Sequence, residues 1–409
     1  MELTTLRQRW GTQPTCDLEG ALNQALARWD ATDLDGKTVA IGVGSRGIHN
    51  YAAIIRGVGE RFRSRGAAPF LVPAMGSHGG ADARGQRSVL ESAGITEASM
   101  GLPILDAMAS RSLGRLPSGV ELWFAESALE ADWIFPVNRV KPHTDFSGEW
   151  GSGSLKMLTV GFGKREGAAD YHQCAIRLGY ERALLEKGQG LLERLPVLGG
   201  LGIIENARHE TAEIVSFSPE GWMRDEPQAQ RRARDLAPSI PFEGIDLLIV
   251  DQMGKNISGT GMDTNVIGRG VHGYSTLLGR ESMAPPFVKR LYVRSLTPET
   301  HGNAIGVGLA DFTHRRLAEA IDLEPMKINT LTSLTPHQAK IPMVFDSDTA
   351  AVEAALRSAG HPSVEEARVV QIRDTLNLET LRVSSALLAE VADAPHLERG
   401  GDYTLLPWD

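Results

Sequence analysis

The chain has 409 residues, 42% hydrophobic and 23% charged, which excludes disorder as the main state and, at roughly 150 residues per domain, allows two or three domains. Forty-two Lys and Arg against 51 Asp and Glu leave a net charge of -9, which argues against duplex nucleic acid as a partner because no basic excess replaces phosphate counterions. Apolar runs such as Leu247 to Val250 are too short to cross a bilayer, Met1 to Trp10 carries no signal segment, and Cys16 with Cys174 cannot form a disulfide framework, so a soluble, cytoplasmic protein is expected.

The first predicted element is a helix, with Leu18, Ala21, Leu22, Ala25, Leu26 and Trp29 at three- and four-residue steps behind Asp17 as N-cap. A strand follows at Lys37 to Val43, whose unbroken Val39-Ala40-Ile41 predicts burial on both faces. A helix over about 50 to 63, a strand at 69 to 73 and a helix over about 82 to 92 complete a βαβα run, the pattern of a doubly wound α/β domain. The next strand is expected at 132 to 137, then a Gly-rich stretch from Phe146 to Gly167, a strand near 201 to 204 and a polar helix over about 226 to 236. Pro238-Ser-Ile-Pro241 reads as a linker. Beyond it, strands are expected at 245 to 250, 288 to 293, 341 to 345 and 369 to 372, with helices at about 313 to 321 and 350 to 358. The expectation is therefore two α/β domains with mostly parallel sheets, residues 1–240 and 241–394, and an active-site cleft between them. The tail, 395–409, is expected to dock back onto the first domain.

In open α/β sheets the loops at the carboxyl ends of the strands carry the ligands. After the first strand, Gly42-Val-Gly44-Ser-Arg-Gly47 fits GxGxxG, but the second strand ends without the acidic residue that a dinucleotide fold needs for the ribose. A phosphate or other anion at Gly44 and Ser45, with Arg46 reaching towards it, suits the sequence better. His78 stands in a glycine-rich turn after the second strand, and His143 holds the equivalent place after a later one. Alone, each reads as a histidine bonded to its turn; together they make an acid/base pair. Lys156 lies in a Gly-rich loop without Walker A spacing, and His172 follows. In the second half Gln252 and Lys255, three apart in the loop after a buried strand, can bind a carboxylate. His209, His272, His301 and Tyr292 read as structural.

The ordered set Arg46, His78, His143, Lys156, His172, Gln252 and Lys255 resembles the lactate racemase family, over roughly residues 40 to 270 and more loosely beyond. That resemblance implies a nickel-pincer nucleotide covalently linked to Lys156, nickel ligated by His172 sixteen residues on, and His78 with His143 as acid and base. It further implies Arg46 on the substrate, Gln252 and Lys255 in the second domain, and cofactor-synthesis and nickel-insertion proteins as partners. Val43 replaces the aspartate three positions before the arginine, Leu155 replaces an arginine before the lysine, and the loop from His143 to Lys156 is longer. These departures mark a divergent homologue with altered nucleotide contacts.

The function so implied is a racemase or epimerase that inverts C2 of a small anionic 2-hydroxy acid by hydride transfer. Histidine suits the accompanying proton transfers because its ordinary pKa is about 6.5. The alternatives are an NAD-dependent 2-hydroxy-acid dehydrogenase and a non-catalytic two-domain anion sensor.

Overall fold

The computed structural model describes residues 2–10, 14–45, 47–144, 148–270, 285–361, 366–392 and 394–404. The chain is mixed α/β and divides into two compact units: Gln13–His143 with Gly148–Ala237, and Met1–Thr12 with Thr144–Ser147 and Pro238–Asp409. The first strand, β1 (Glu2–Gln8), belongs to the second unit's sheet.

The unit built on residues 13–237 holds β2 (Thr38–Val43), β3 (Ala68–Pro73), β4 (Ser110–Arg115), β5 (Glu121–Ala125), β6 (Trp133–Arg139), β7 (Gly200–Glu205) and β8 (Thr211–Phe217). Five of them form a sheet in the order β3-β2-β6-β7-β8, parallel except for β8, while β4 and β5 make a separate antiparallel ribbon. Ile41 pairs with Leu71 on one side and Phe135 on the other, which is why Val39-Ala40-Ile41 is buried throughout. Helix α1 (Leu18–Leu26) starts where expected, with the Asp17 carboxylate accepting from the Gly20 amide at 3.1 Å. Helices α2 (Tyr51–Ser64) and α3 (Ala83–Ser92) also match their periodicity. The core on this face centres on Phe135, whose ring lies edge-on to Trp29 and Phe62, each 4.9 Å away between centroids. Helices α4 (Lys164–Leu178) and α5 (Tyr180–Leu192) begin at the end of the Gly-rich stretch and fill a region for which the sequence reading gives no element. Helix α6 (Trp222–Leu236) begins four residues before its expected start.

The second unit holds β9 (Gly244–Met253), β10 (Phe287–Leu296), β11 (Phe312–His314), β12 (Met343–Phe345), β13 (Val369–Ile372), β14 (Thr380–Val383) and β15 (Leu397–Thr404). With β1 they form an eight-stranded sheet, β12-β11-β10-β9-β13-β14-β1-β15. The run β12 to β13 is parallel, and β14, β1 and β15 pair antiparallel. Alternate residues of β9 serve opposite faces: Leu248 and Val250 enter one core, while Leu247 and Ile249 pack with Ala351 and Val352 of helix α7 (Asp348–Ser358). Two expectations are corrected here. Residues 2–8 do not belong to the first domain, and the described part of the tail pairs with β1 in this sheet rather than docking on that domain. Antiparallel partners drawn from opposite ends of the chain leave no local signature. The expected helix at 313 to 321 is also shorter, because Phe312–His314 extend as β11 beside β10 and only Arg315–Glu319 are helical.

A buried ion network ties the second sheet to α7. Arg294 meets both oxygens of Asp348, at 3.0 and 2.5 Å, and Asp251 at 2.7 Å; Asp251 also accepts from Gln371 at 2.7 Å. Tyr292 donates to Asp348 at 2.6 Å, which accounts for this residue structurally.

Candidate active site

The C-terminal ends of β2, β3 and β6 lie side by side and carry Ser45, His78 and His143 on the segments that follow. Ser45 Oγ is in contact with His78 Nδ1, and His78 is exposed. A hydroxyl can donate to or accept from that nitrogen, so Ser45 tolerates either state of Nε2. His143 is 7% exposed, and its Nε2 is in contact with the half-buried Lys156 amine. An ammonium would donate to a bare Nε2 and a neutral amine would accept from a protonated one, so donor and acceptor here depend on the imidazole tautomer. Arg46 and His272 lie outside the described residues.

The glycines of the GxGxxG pattern serve packing and the turn here. A Cβ on Gly42 would lie 2.4 Å from the Phe162 ring, so side-chain packing claims the space. The Gly44 amide donates to Tyr51 Oη at 2.7 Å, and that hydroxyl donates to Val137 O at 2.7 Å. The Gly44 N–H is thereby occupied in this structure.

Lys156 ends a single helical turn, Ser154–Lys156, and a π-helical turn follows at Met157–Gly161, with Phe162 N bonded to Met157 O at 2.8 Å. Such turns recur at functional sites because they re-aim side chains. The segment before the lysine is held from several directions. Lys141 and Ser152 exchange backbone hydrogen bonds of 2.9 Å in both directions, and Asn138 Nδ2 donates to Gly153 O at 2.9 Å. Ser154 Oγ donates to Leu201 O at 2.5 Å. From α6, Gln230 Nε2 donates to Ser152 O at 2.7 Å, and Glu226 Oε2 accepts from the Leu155 amide at 3.0 Å. Burial pushes the Glu226 carboxyl up to about 7 despite hydrogen bonds from Trp222 and Leu155. A polar helix reads as a solvated face, so sequence reasoning missed Glu226 and Gln230; their i, i+4 spacing opposite a glycine-rich loop is the one signal available.

His172 lies on α4, half-buried, its ring 5.6 Å from that of Tyr171. At the start of α4 the side chain of Lys164 is fully buried and donates to Pro73 O at 2.8 Å and towards Gln86 Oε1 at 3.4 Å. Gln86 Nε2 in turn donates to Gly76 O at 2.8 Å, within the loop that carries His78. Burial lowers the Lys164 pKa from 10.5 to about 8, with Asp106 opposing. Among the described residues no three His, Cys, Asp or Glu side chains are grouped to hold a metal ion.

Gln252 and Lys255 belong to the second unit. Gln252 is half-buried near the end of β9, its amide bonded to Arg373 O at 2.8 Å, and the exposed Lys255 amine meets Asn329 Oδ1. His209 and His301 sit in turns with φ of 60° and 47°, in keeping with structural roles.

Fold and site together define an α/β protein that presents histidines and a lysine at the carboxyl ends of parallel strands. Among solved structures the chain is similar to the lactate racemase apoprotein from Thermoanaerobacterium thermosaccharolyticum, with a TM-score of 0.54, 10% identity, and coverage of 91% of this chain and 99% of that one. It is also similar to a Thermotoga maritima protein from a structural genomics consortium, with a TM-score of 0.51, 14% identity, and coverage of 68% and 71%. At these identities the likeness is one of fold. No protein-family model matches the chain, and no curated protein matches its sequence. Among the described residues no helix is long and apolar enough to cross a membrane.

Proposed function

We propose that this chain is an isomerase of the lactate racemase type, inverting C2 of a small 2-hydroxy acid. The observation that carries the reading is the Lys156–His143 contact on a tightly held turn, in a chain whose fold is that of a lactate racemase apoprotein. The donor set fits a nickel-pincer nucleotide. Lys156 offers a primary amine beside the His143 imidazole, and His172 offers an imidazole to nickel, a metal that nitrogen donors suit. Lys156 would hold the nucleotide and His172 the metal. When bound, such a nucleotide supplies hydride uptake and return.

The chain's own residues supply the proton chemistry. His78 Nε2 lies opposite the nitrogen that Ser45 engages, so the imidazole can accept the substrate hydroxyl proton while Ser45 reorients. His143 gives or takes the corresponding proton for the other stereoisomer once Lys156 no longer occupies its Nε2. In this reading Arg46 binds the substrate, and Gln252 with Lys255, on their own unit, suit an anionic group. The dehydrogenase alternative has less support, because Asn138 and Met157 side chains crowd Gly44, where a dinucleotide's pyrophosphate would approach, and Tyr51 occupies the Gly44 amide.

The test is co-expression with cofactor-synthesis proteins, followed by intact mass, nickel content and chiral analysis over lactate, malate, aromatic and sugar 2-hydroxy acids. Expected are added mass at Lys156 that Lys156→Ala abolishes, nickel that His172→Ala loses, and loss of racemisation in His78→Ala and His143→Ala with the nucleotide retained. Full activity in either of these last two variants refutes the acid/base assignment. Binding without turnover across the panel favours the sensor.

A further inference from the structure

Glu226 is fully buried and its two oxygens are unequally used. Oε2 accepts from Trp222 Nε1 at 2.6 Å and from the Leu155 amide at 3.0 Å, whereas Oε1 is buried with no hydrogen-bond partner among the described residues. One helical turn further along α6, Gln230 is also fully buried; its Nε2 serves Ser152 O while its Oε1 has no such partner either. Both side chains face the same turn. A Cβ built on Gly153 would stand 1.9 Å from Glu226 Oε1 and 3.4 Å from Gln230 Nε2. Two buried oxygens without donors are costly, and an ionised carboxylate with one bare oxygen costs more. A proton on Glu226 removes the buried charge, the larger of these costs.

We propose that Glu226 is a positioning residue for Lys156: it stays a neutral acid, and its Oε2 fixes the Leu155 amide next to the lysine. The role rests on the reading of Lys156 given above. Burial holds the carboxyl up to about 7, in keeping with a retained proton. On its own helix the facing groups are Trp222 and Gln230, both uncharged. On the segment packed against it the ionisable groups are Lys141, His143 and Lys156, and the last two engage each other. When the proton leaves, a bare carboxylate oxygen is left buried against Gly153, and the Ser152–Lys156 turn loosens.

The experiment uses the full chain as expressed, without nucleotide, and follows hydrogen exchange of the peptide spanning Ser152 to Lys156 after correction for intrinsic rates. Wild-type protection is expected to fall by roughly tenfold per pH unit above about 7. Glu226→Gln keeps a neutral donor in place and should stay protected at every pH, whereas Glu226→Ala should exchange quickly throughout. Should Glu226→Gln fold poorly, Gln230→Leu removes the Nε2 bond to Ser152 O but leaves the carboxyl in place, so it should exchange faster than wild type while keeping the wild-type pH step. The rate of reductive methylation at Lys156 gives a second readout and should follow the same order. Wild-type exchange independent of pH, or a Glu226→Gln profile with the wild-type pH step, overturns the proposal. Failure of the tether reading is distinguishable: Lys156 would then gain no mass under co-expression while the exchange pattern persisted.

Discussion

Lys164→Met tests whether a buried cation supports the loop carrying His78. The side chain is 0% exposed, its amine serves Pro73 O and Gln86, and burial brings its pKa from 10.5 to about 8. Below pH 8 the folded and unfolded chains both hold the proton, and the folded state carries the full desolvation cost. Between pH 8 and 10.5 the unfolded chain binds a proton that the folded one has released, so stability rises with pH at up to about 1.4 kcal/mol per pH unit. The total is about 3 kcal/mol across that window. Methionine removes the titration and also forfeits hydrogen bonds of about 1.5–3 kcal/mol, so stability at pH 7 is expected near that of the wild type. Both residues carry a Cβ, and the left-handed φ of 54° strains them alike. The decisive quantity is thus the change in the difference between the two proteins, from urea unfolding at pH 7 and pH 10. Tryptophan fluorescence suits it, because five of the seven tryptophans (29, 123, 133, 150 and 222) lie in this unit. The wild type should gain about 2–3 kcal/mol over the variant between those pH values. Parallel curves would refute the reasoning.

In the second unit, Arg294→Met leaves Asp251 and Asp348 buried without their shared cation and should cost about 3–5 kcal/mol in denaturant unfolding. Adding Asp348→Asn should recover part of that loss, and a single variant within about 1 kcal/mol of wild type would show that the network contributes little. Phe135→Ala empties the space between the Trp29 and Phe62 rings and should cost about 3–5 kcal/mol by the same assay; a much smaller loss would mean that the cavity collapses.

The candidate site was partly legible because strand ends are legible. An apolar run that stops at a glycine or polar turn marks where a parallel sheet presents its loops, and Ser45, His78 and His143 follow such stops. That His78 engages Ser45 and His143 engages Lys156 was not visible, since each contact joins segments from different strands. Glu226 and Leu155 are 71 positions apart, and α6 carries enough charge to look like a solvated surface.

Local pattern by itself determined the buried centre of β2, the start of α1 at Asp17, and the alternation of strands and helices that makes both units α/β. It could do so because a residue's own polarity and the period of its neighbours decide which face turns inward. Tertiary structure alone decided that β1 joins β14 and β15, that Glu226, Gln230 and Lys164 are buried, and that Phe162 fills the space beside Gly42. Those outcomes depend on what covers each face, and the covering groups come from distant positions that no local period encodes.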